Sequence, residues 1–389
     1  MNDDHGFHSI RILIMPVTPH LFVALSGHGF GHVAQVAPVL NALRRHLPAV
    51  RLTLQSSVPA EVLHKRIEGD FAHIPEATDV GLLMANAVDV LTTESLAAYR
   101  VFHAAWETRL ACQETWFKRL APALVLADIP YLPLAAAARL EIPAVALCSL
   151  HWADILQGYW PDRPELVAWR AIMLEAYNSV AVFLRPAPSM PMPDLHHTRA
   201  IGPIAALGRN RRPELKRRFG LRSDATVVLA ALGGVNMPLP MMRWPVNPGI
   251  YWVVPAAWGI ERADLLYREQ MADLPFMDLL CSCDVLLTKP GYGTFTEAVC
   301  NGKPVLYVER NDWPEEPWLV RWLTSHGNAV HLPREALETG AVLEPLHTLL
   351  AQPRKPALPS DGIDAAAGCL YQYLTGRQTP SPWHGVQAL

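Results

Sequence analysis

Two histidines and one aspartate are the residues of this chain best suited to proton transfer. His28 and His32 lie in the turn GHGFGH at 27–32, and Asp128 follows an apolar strand predicted at 123–127. An imidazole has an ordinary pKa near neutrality and can accept a proton from a hydroxyl. A carboxylate within reach would orient that ring and stabilise the imidazolium. This pattern favours His32 as a base with Asp128 as its partner, although an aspartate at a strand end is also typical of a helix N-cap.

A second glycine-rich turn predicts an anion site. The stretch LLTKPGYGTFTEAVCNGKPV at 286–305 predicts a strand, a turn at Lys289–Gly293, a helix opening at Thr294 and a further strand. The N–H groups and dipole at a helix N-terminus suit a diphosphate. Glu297, expected in the first turn, offers a carboxylate that accepts two hydrogen bonds from a ribose diol. Such a turn is also common without a ligand, in which case the glutamate only supports the helix dipole.

Parallel strands are needed to hold these residues. The predicted strand His20–Ser26, the helical spacing of apolar residues from Val33 to His46, and the strand Arg51–Gln55 form a β–turn–α–β unit. The first turn has the spacing G-x-G-x-G-x, and no acidic residue closes the second strand. A dinucleotide site is therefore disfavoured.

The pattern restarts after a proline-rich linker at 186–213, where the strand Thr226–Ala230 runs into Gly233 and Gly234. We therefore expect an α/β protein with two Rossmann-like domains facing across a cleft, with both turns at the ligand edge. The predicted bounds are an extension at 1–19, an N-terminal domain at 20–205, a C-terminal domain at 206–360, and a helix and tail at 361–389 that pack back on the N-terminal domain.

The composition limits the classes of function. The chain has 389 residues, 51% of them hydrophobic and 18% charged, and its net charge of −3 argues against nucleic acid as a partner. Six scattered cysteines are typical of buried thiols in a reducing compartment. We find no signal sequence and no apolar run that could span a membrane, so we expect a cytoplasmic protein and leave peripheral membrane contact open. Because no Asp-x-Asp motif ends a strand, we expect neither a metal nor a cofactor.

Three segments carry a resemblance to a known family. They are GHGFGHVAQVAPVLNALRRH at 27–46, LVLADIPYLPLAAAARLEIPAVAL at 124–147 and LPFMDLLCSCDVLLTKPGYGTFTEAVCNGKPVLYVE at 274–309. The chain resembles GT-B fold glycosyltransferases, in particular the UDP-glycosyltransferase superfamily and the GlcNAc transferase of peptidoglycan synthesis. This resemblance implies a metal-independent inverting transferase that moves a sugar from an NDP-sugar, UDP- or dTDP-linked, to a hydroxyl of a small-molecule or lipid-linked acceptor. It implies His32 as the general base, assisted by Asp128.

The resemblance also implies which residues hold the donor in the C-terminal domain and the facing turn. They are Gly29, Gly31, Gly233, Gly234, Phe276, Lys289, Gly291, Tyr292, Gly293, Thr294, Glu297, Glu315 and Glu316. Glu315-Glu316-Pro317 stands where the family carries Asp-Gln or Glu-Gln to read sugar hydroxyls, so the donor sugar is open. For the acceptor, the candidates are His28, His151 and Trp152, although the aromatic stretch at 151–162 fits loop packing equally well.

Other interpretations remain beside this one. The donor region also resembles the N-terminal part of plant arabinose kinases. A nucleotide-sugar hydrolase, a 2-epimerase and a sugar-nucleotide-binding module without turnover are the alternatives. Pro238 and Pro240 predict that no long helix follows Gly234. The nucleobase, the acceptor and the oligomeric state are not determined by the sequence.

Overall fold

The computed structural model describes residues 18–233, 237–310 and 312–377. The predicted extension falls almost wholly outside these ranges, and so does Gly234. No helix in the described part of the chain is both long enough and apolar enough to cross a membrane.

Seven strands, all parallel, form the sheet of the N-terminal half in the order β3-β2-β1-β4-β5-β6-β7, counted over the described residues. The strands are β1 (His20–Leu25), β2 (Arg51–Gln55), β3 (Ala72–Ile74), β4 (Leu124–Asp128), β5 (Ala144–Leu147), β6 (Val182–Pro186) and β7 (Thr198–Ile201). The helices are α1 (Gly31–His46), α2 (Ala60–Arg66), α3 (Thr92–Ala104), α4 (Trp106–Leu120), α5 (Tyr131–Arg139), α6 (Trp152–Tyr159) and α7 (Pro164–Asn178).

Six strands, also parallel, form the sheet of the C-terminal half in the order β10-β9-β8-β11-β12-β13, again over the described ranges. The strands are β8 (Thr226–Ala230), β9 (Ile250–Val254), β10 (Leu265–Tyr267), β11 (Val285–Thr288), β12 (Val305–Tyr307) and β13 (Ala329–His331). The helices are α8 (Arg212–Arg218), α9 (Phe276–Ser282), α10 (Tyr292–Cys300), α11 (Glu316–His326), α12 (Arg334–Thr339), α13 (Leu343–Ala351) and α14 (Gly362–Thr375). The predicted pair of Rossmann-like α/β units is confirmed.

The hydrophobic pattern explains why these elements pack as layers. All six residues of β1 are buried, because helices cover both faces of a parallel sheet. Along α1, Val33, Val36, Leu40 and Leu43 recur at helical spacing and are all buried in the core between helix and sheet. This packing fixes the N-terminus of α1 at the carboxyl end of β1.

The two halves are in direct contact. Helix α14 lies against α1, and its Ala366 and Ala367 are buried in the same core cluster as Val36. After β7, the backbone N–H of Ile204 donates to the Tyr292 hydroxyl over 3.0 Å, and its carbonyl accepts from Thr296 Oγ1 over 3.1 Å. The chain between the two sheets is therefore held on helix α10.

Candidate functional site

His32 and Asp128 meet at the carboxyl edge of the N-terminal sheet. Strands β1 and β4 pair with Leu25 opposite Asp128, and α1 begins at Gly31, so His32 lies in its first turn. His32 Nδ1 is 2.9 Å from Asp128 Oδ1. The two side chains are buried, at 4% and 0% exposure. With Nδ1–H donating to the carboxylate, the Nε2 lone pair is left to accept a proton.

The carboxylates around His32 set its charge. Burial alone would lower its pKa, but Asp128, with smaller contributions from Asp79 and Glu315, outweighs burial and raises the pKa. Cys148 Sγ lies 3.9 Å from His32 Nδ1. Burial and the Asp128 charge raise the pKa of that thiol well above its usual range, so it stays protonated near neutrality.

Asp79 is a part of this site that the sequence analysis missed. It is 7% exposed, and its Oδ2 accepts a hydrogen bond from Trp152 Nε1 over 2.8 Å. Burial raises its pKa. The ring of Trp152 lies 6.2 Å from that of His32, so this acceptor candidate lies beside His32. Asp79 follows β3, a strand of three residues that gave too short a pattern to recognise.

The other two acceptor candidates occupy different places. His28 binds the backbone oxygen of Leu82 through Nδ1 at 2.9 Å and stacks on Trp313 of the C-terminal half at a ring separation of 5.5 Å. Burial, together with nearby cations, lowers its pKa to about 3, so the ring is neutral. His151 is fully buried, and its Nδ1 accepts from the Asp154 N–H as the N-cap of α6. The structure therefore brings His28 to the cleft and gives His151 a capping role.

The C-terminal glycine turn opens α10 earlier than predicted. The helix begins at Tyr292 with Gly291 as its N-cap, and no acidic residue lies in its first turn. The prediction that Glu297 occupies the first turn is therefore wrong, and Glu297 lies in the second turn. Half-buried Thr294 is in the first turn, whereas the Tyr292 hydroxyl is bound to Ile204 and not to the cleft.

Gly293 brings the two helix N-termini together. A Cβ built on Gly293 would lie 2.9 Å from Ala34 Cβ and 4.0 Å from Gly31 Cα. The N-termini of α1 and α10 thus converge on one region, where their N–H groups and positive dipole ends favour an anion. Gly29, at φ +76°, and Gly31 leave open space, because a Cβ on either would meet no described atom within 4 Å.

Glu297 is buried between the two halves. It is 4% exposed, and its Oε1 lies 3.6 Å from Arg66 Nη1 at the end of α2. Burial raises the pKa of Glu297 to about 7 although Arg66 opposes this. The carboxylate therefore faces the N-terminal half.

Glu315 and Glu316 point in different directions. Ser149 Oγ donates to Glu315 Oε1 over 2.6 Å, and Trp313 Nε1 donates to Glu315 Oε2 over 3.1 Å. Glu315 thus reaches the N-terminal half, close to His32. Glu316 accepts from the backbone N–H of Arg310 over 2.8 Å, and burial raises its pKa to about 7.

Lys289 lies close to Gly233 and Gly291, whereas Phe276 packs against the hydrophobic core. A Cβ on Gly233 would be 3.5 Å from Lys289 Cε, and one on Gly291 would be 3.8 Å from Lys289 Nζ. Phe276 begins α9 and packs half-buried against the hydrophobic core.

A nearby set of side chains has the composition of a metal site. Ligand atoms of His32, Asp128 and Cys148 lie within 4.8 Å of one another. A metal would need the Cys148 thiolate and would take the His32 nitrogen that Asp128 holds. In the structure that nitrogen is bonded to Asp128, so the observed arrangement is that of an oriented imidazole.

Comparisons with known proteins identify a distant curated relative. No protein-family model matches the chain. It is 25% identical over 377 residues to L-arabinokinase of Arabidopsis thaliana, covering 93% of this chain and 35% of that protein. The chain thus spans about a third of the length of this curated relative. The predicted resemblance to plant arabinose kinases is confirmed.

Solved structures agree with the predicted architecture. The chain matches the calicheamicin glycosyltransferase CalG4 at a TM-score of 0.64 and 19% identity, covering 94% of this chain and 100% of that chain. It matches the spinosyn rhamnosyltransferase SpnG complexed with thymidine diphosphate at 0.52 and 17%, covering 93% and 97%. It matches UDP-N-acetylglucosamine 2-epimerase at 0.53 and 13%, covering 93% and 99%. The chain has the GT-B fold.

Proposed function

We propose that this protein is a metal-independent inverting glycosyltransferase that uses an NDP-sugar donor and a hydroxyl acceptor. The observation that carries the proposal is the bond between His32 Nδ1 and Asp128 Oδ1, beside the point where α1 and α10 converge. A base is thus held on one side of an anion-favouring spot, as attack on a sugar diphosphate requires.

In the proposed reaction, His32 Nε2 takes the proton of the acceptor hydroxyl. The hydroxyl oxygen then attacks the anomeric carbon, and the NDP departs from the opposite side with the bonding electron pair, so the configuration inverts. Asp128 keeps the Nδ1–H tautomer and stabilises the imidazolium. The turns at Gly31 and Gly291 bind the departing diphosphate with backbone N–H groups, and Glu297 binds the ribose.

The acceptor side is proposed to be a cavity of about 450 Å³ in the N-terminal half. Its wall is largely apolar and includes Ala98 and Val101 of α3, while Arg109 and Asp79 supply charge. Asp79 is also close enough to His32 to influence it electrostatically, which places the cavity near the proposed base. The apolar wall supports an acceptor with an apolar body. We further propose a cytoplasmic location for this reaction.

Release of NDP tests the proposal. The protein is first screened by thermal shift against UDP, dTDP, GDP and their sugars, and NDP release is then followed with and without a panel of alcohol and phenol acceptors. Acceptor-dependent release supports transfer. Release without an acceptor indicates a hydrolase, a new sugar nucleotide without net NDP indicates an epimerase, and binding without consumption indicates a module.

A further inference from the structure

Two cations lie at the carboxyl ends of the adjacent strands β11 and β12. Lys289 directly follows β11 and is half-buried, and Arg310 lies three residues after β12 and is 6% exposed. Neither forms an ion pair with any described residue, although Glu315 and Glu316 are close enough to influence both electrostatically. A buried guanidinium with a half-buried amine nearby and no bonded counter-ion is unfavourable unless an anion joins them.

Arg310 is held ready for a ligand. Its guanidinium carbon lies 4.0 Å from the centre of the Trp313 ring, which fixes its plane. Its Nε is buried and makes no hydrogen bond within the described part of the chain. Trp313 also stacks on His28, so the Arg310 side chain is tied to the turn at the start of α1.

Lys289 is placed where a diphosphate would lie. Its Cε and Nζ pass close to Gly233 and Gly291, so the amine lies between two glycine turns of the C-terminal half. Burial, and then repulsion by Arg310, lower its pKa to about 7, although Glu315 and Glu316 oppose the shift. His28 is also close enough to interact with the Lys289 charge and is neutral, whereas burial raises the pKa of Glu316 to about 7.

We propose that Arg310 and Lys289 together bind the diphosphate of the donor, and that Lys289 takes up a proton when the diphosphate binds. This rests on the proposed function. The bound anion favours the ammonium form, so the amine, partly neutral in the free protein, becomes fully protonated. The leaving diphosphate then meets a guanidinium and an ammonium, which replace the charge that a metal ion supplies in other transferases.

Calorimetry in buffers of different ionisation enthalpy tests the proposal, with whichever of UDP, dTDP and GDP the thermal-shift screen identifies as bound. Near pH 8 we expect an uptake approaching one proton per nucleotide, since Lys289 is then largely neutral before binding. Lys289→Arg stays charged, and we expect it to bind without this uptake. Subtracting the proton uptake of Lys289→Arg from that of the wild type therefore removes protonation changes elsewhere in the site.

Arg310→Met should weaken nucleotide binding by roughly 10- to 100-fold, the loss typical of a charge-assisted hydrogen bond. The matched control is Arg321→Met, since Arg321 also stacks on a tryptophan, at 4.9 Å from Trp318, but is exposed on α11. We expect the control to bind as the wild type does. Far-UV circular dichroism and melting curves confirm that each variant is folded.

The outcomes separate the two proposals. Nucleotide binding without proton uptake in the wild type, or undiminished binding by folded Arg310→Met, overturns this inference and leaves the proposed function standing. Failure of the wild type to bind any nucleotide overturns both. Uptake that disappears in Lys289→Arg, with weak binding by Arg310→Met, supports the inference.

Discussion

Glu297 of the C-terminal half faces Arg66 of the N-terminal half, with Oε1 3.6 Å from Nη1. The carboxylate proposed to hold the ribose thus has a cationic neighbour in the free protein. The distance is long for a hydrogen bond, and Oε1 has no other partner among the described residues. The buried carboxylate is therefore under-satisfied and ready to accept from a diol.

Glu297→Ala should weaken nucleotide binding by about 1–3 kcal/mol, because the ribose hydroxyls lose their buried acceptor. Calorimetric titration with the bound nucleotide measures the effect. Glu338→Ala removes an exposed carboxylate of α12 and serves as the control. An unchanged dissociation constant for the Glu297 variant would remove this residue from the ribose site.

The raised pKa of Glu297 also predicts how stability depends on pH. Its pKa rises from 4.5 in the unfolded chain to about 7 in the folded protein, so the folded state binds more protons between these values. The wild-type free energy of unfolding should therefore fall by up to about 3 kcal/mol from this residue as pH rises from 4.5 to 7. Glu297→Gln should lack that part of the fall. Denaturant unfolding at several pH values compares the two proteins, and parallel curves would contradict the assignment.

His32→Ala should abolish turnover and leave nucleotide binding unchanged, because the base contacts the acceptor and not the nucleotide. Asp128→Asn should lower kcat by about 10²- to 10⁴-fold, since the tautomer is no longer fixed. Activity requires neutral His32, so the rate should rise with pH through the raised pKa. Without the Asp128 charge, burial dominates and this rise should move to lower pH. A pH–rate profile of the wild type and of Asp128→Asn tests this. If the rate rises at the same pH in both proteins, a group other than His32 titrates.

Chelation should leave turnover unaffected, because His32 Nδ1 is bonded to Asp128 and no step of the proposed reaction uses a metal. Activity is measured after dialysis against EDTA and again after adding Zn²⁺ in excess. Excess Zn²⁺ should inhibit by capturing Nδ1 of His32, and Cys148→Ser should reduce that inhibition. Loss of activity on chelation, restored by a metal, would replace the proposed mechanism.

Filling the N-terminal cavity should impair acceptor use alone. Ala98→Phe places a ring in the cavity between α3 and Asp79 and should raise the acceptor KM with little change in nucleotide affinity. Ala104→Phe, at the exposed end of the same helix, is the matched control. Equal acceptor kinetics for the two variants would place the acceptor elsewhere.

The sequence predicted those features that follow from strands and turns. His32 and Asp128 were paired correctly in space because both follow parallel strands, and such ends share one sheet edge. The predicted start of α10 at Thr294 was wrong because Gly291 can serve as a helix N-cap as readily as a turn residue. Asp79 was missed because β3 has only three residues.

Contacts between the halves could not be predicted. Arg66 precedes Glu297 by more than two hundred residues, and no local pattern links them. Arg310 belongs to no motif, and its proposed role rests on its burial and its stacking on Trp313. His151 follows a strand as the catalytic candidates do, but only the backbone geometry of α6 shows that it caps a helix.

Gly293 determines how closely the two halves of the molecule can approach. Because it has no side chain, Ala34 of α1 lies directly over α10, and even a methyl group there would come within 2.9 Å of the Ala34 methyl. A larger residue would hold the two halves further apart and move His32 away from the proposed donor site in the C-terminal half. The width of the space between the two halves therefore depends on the absence of a side chain at this one position.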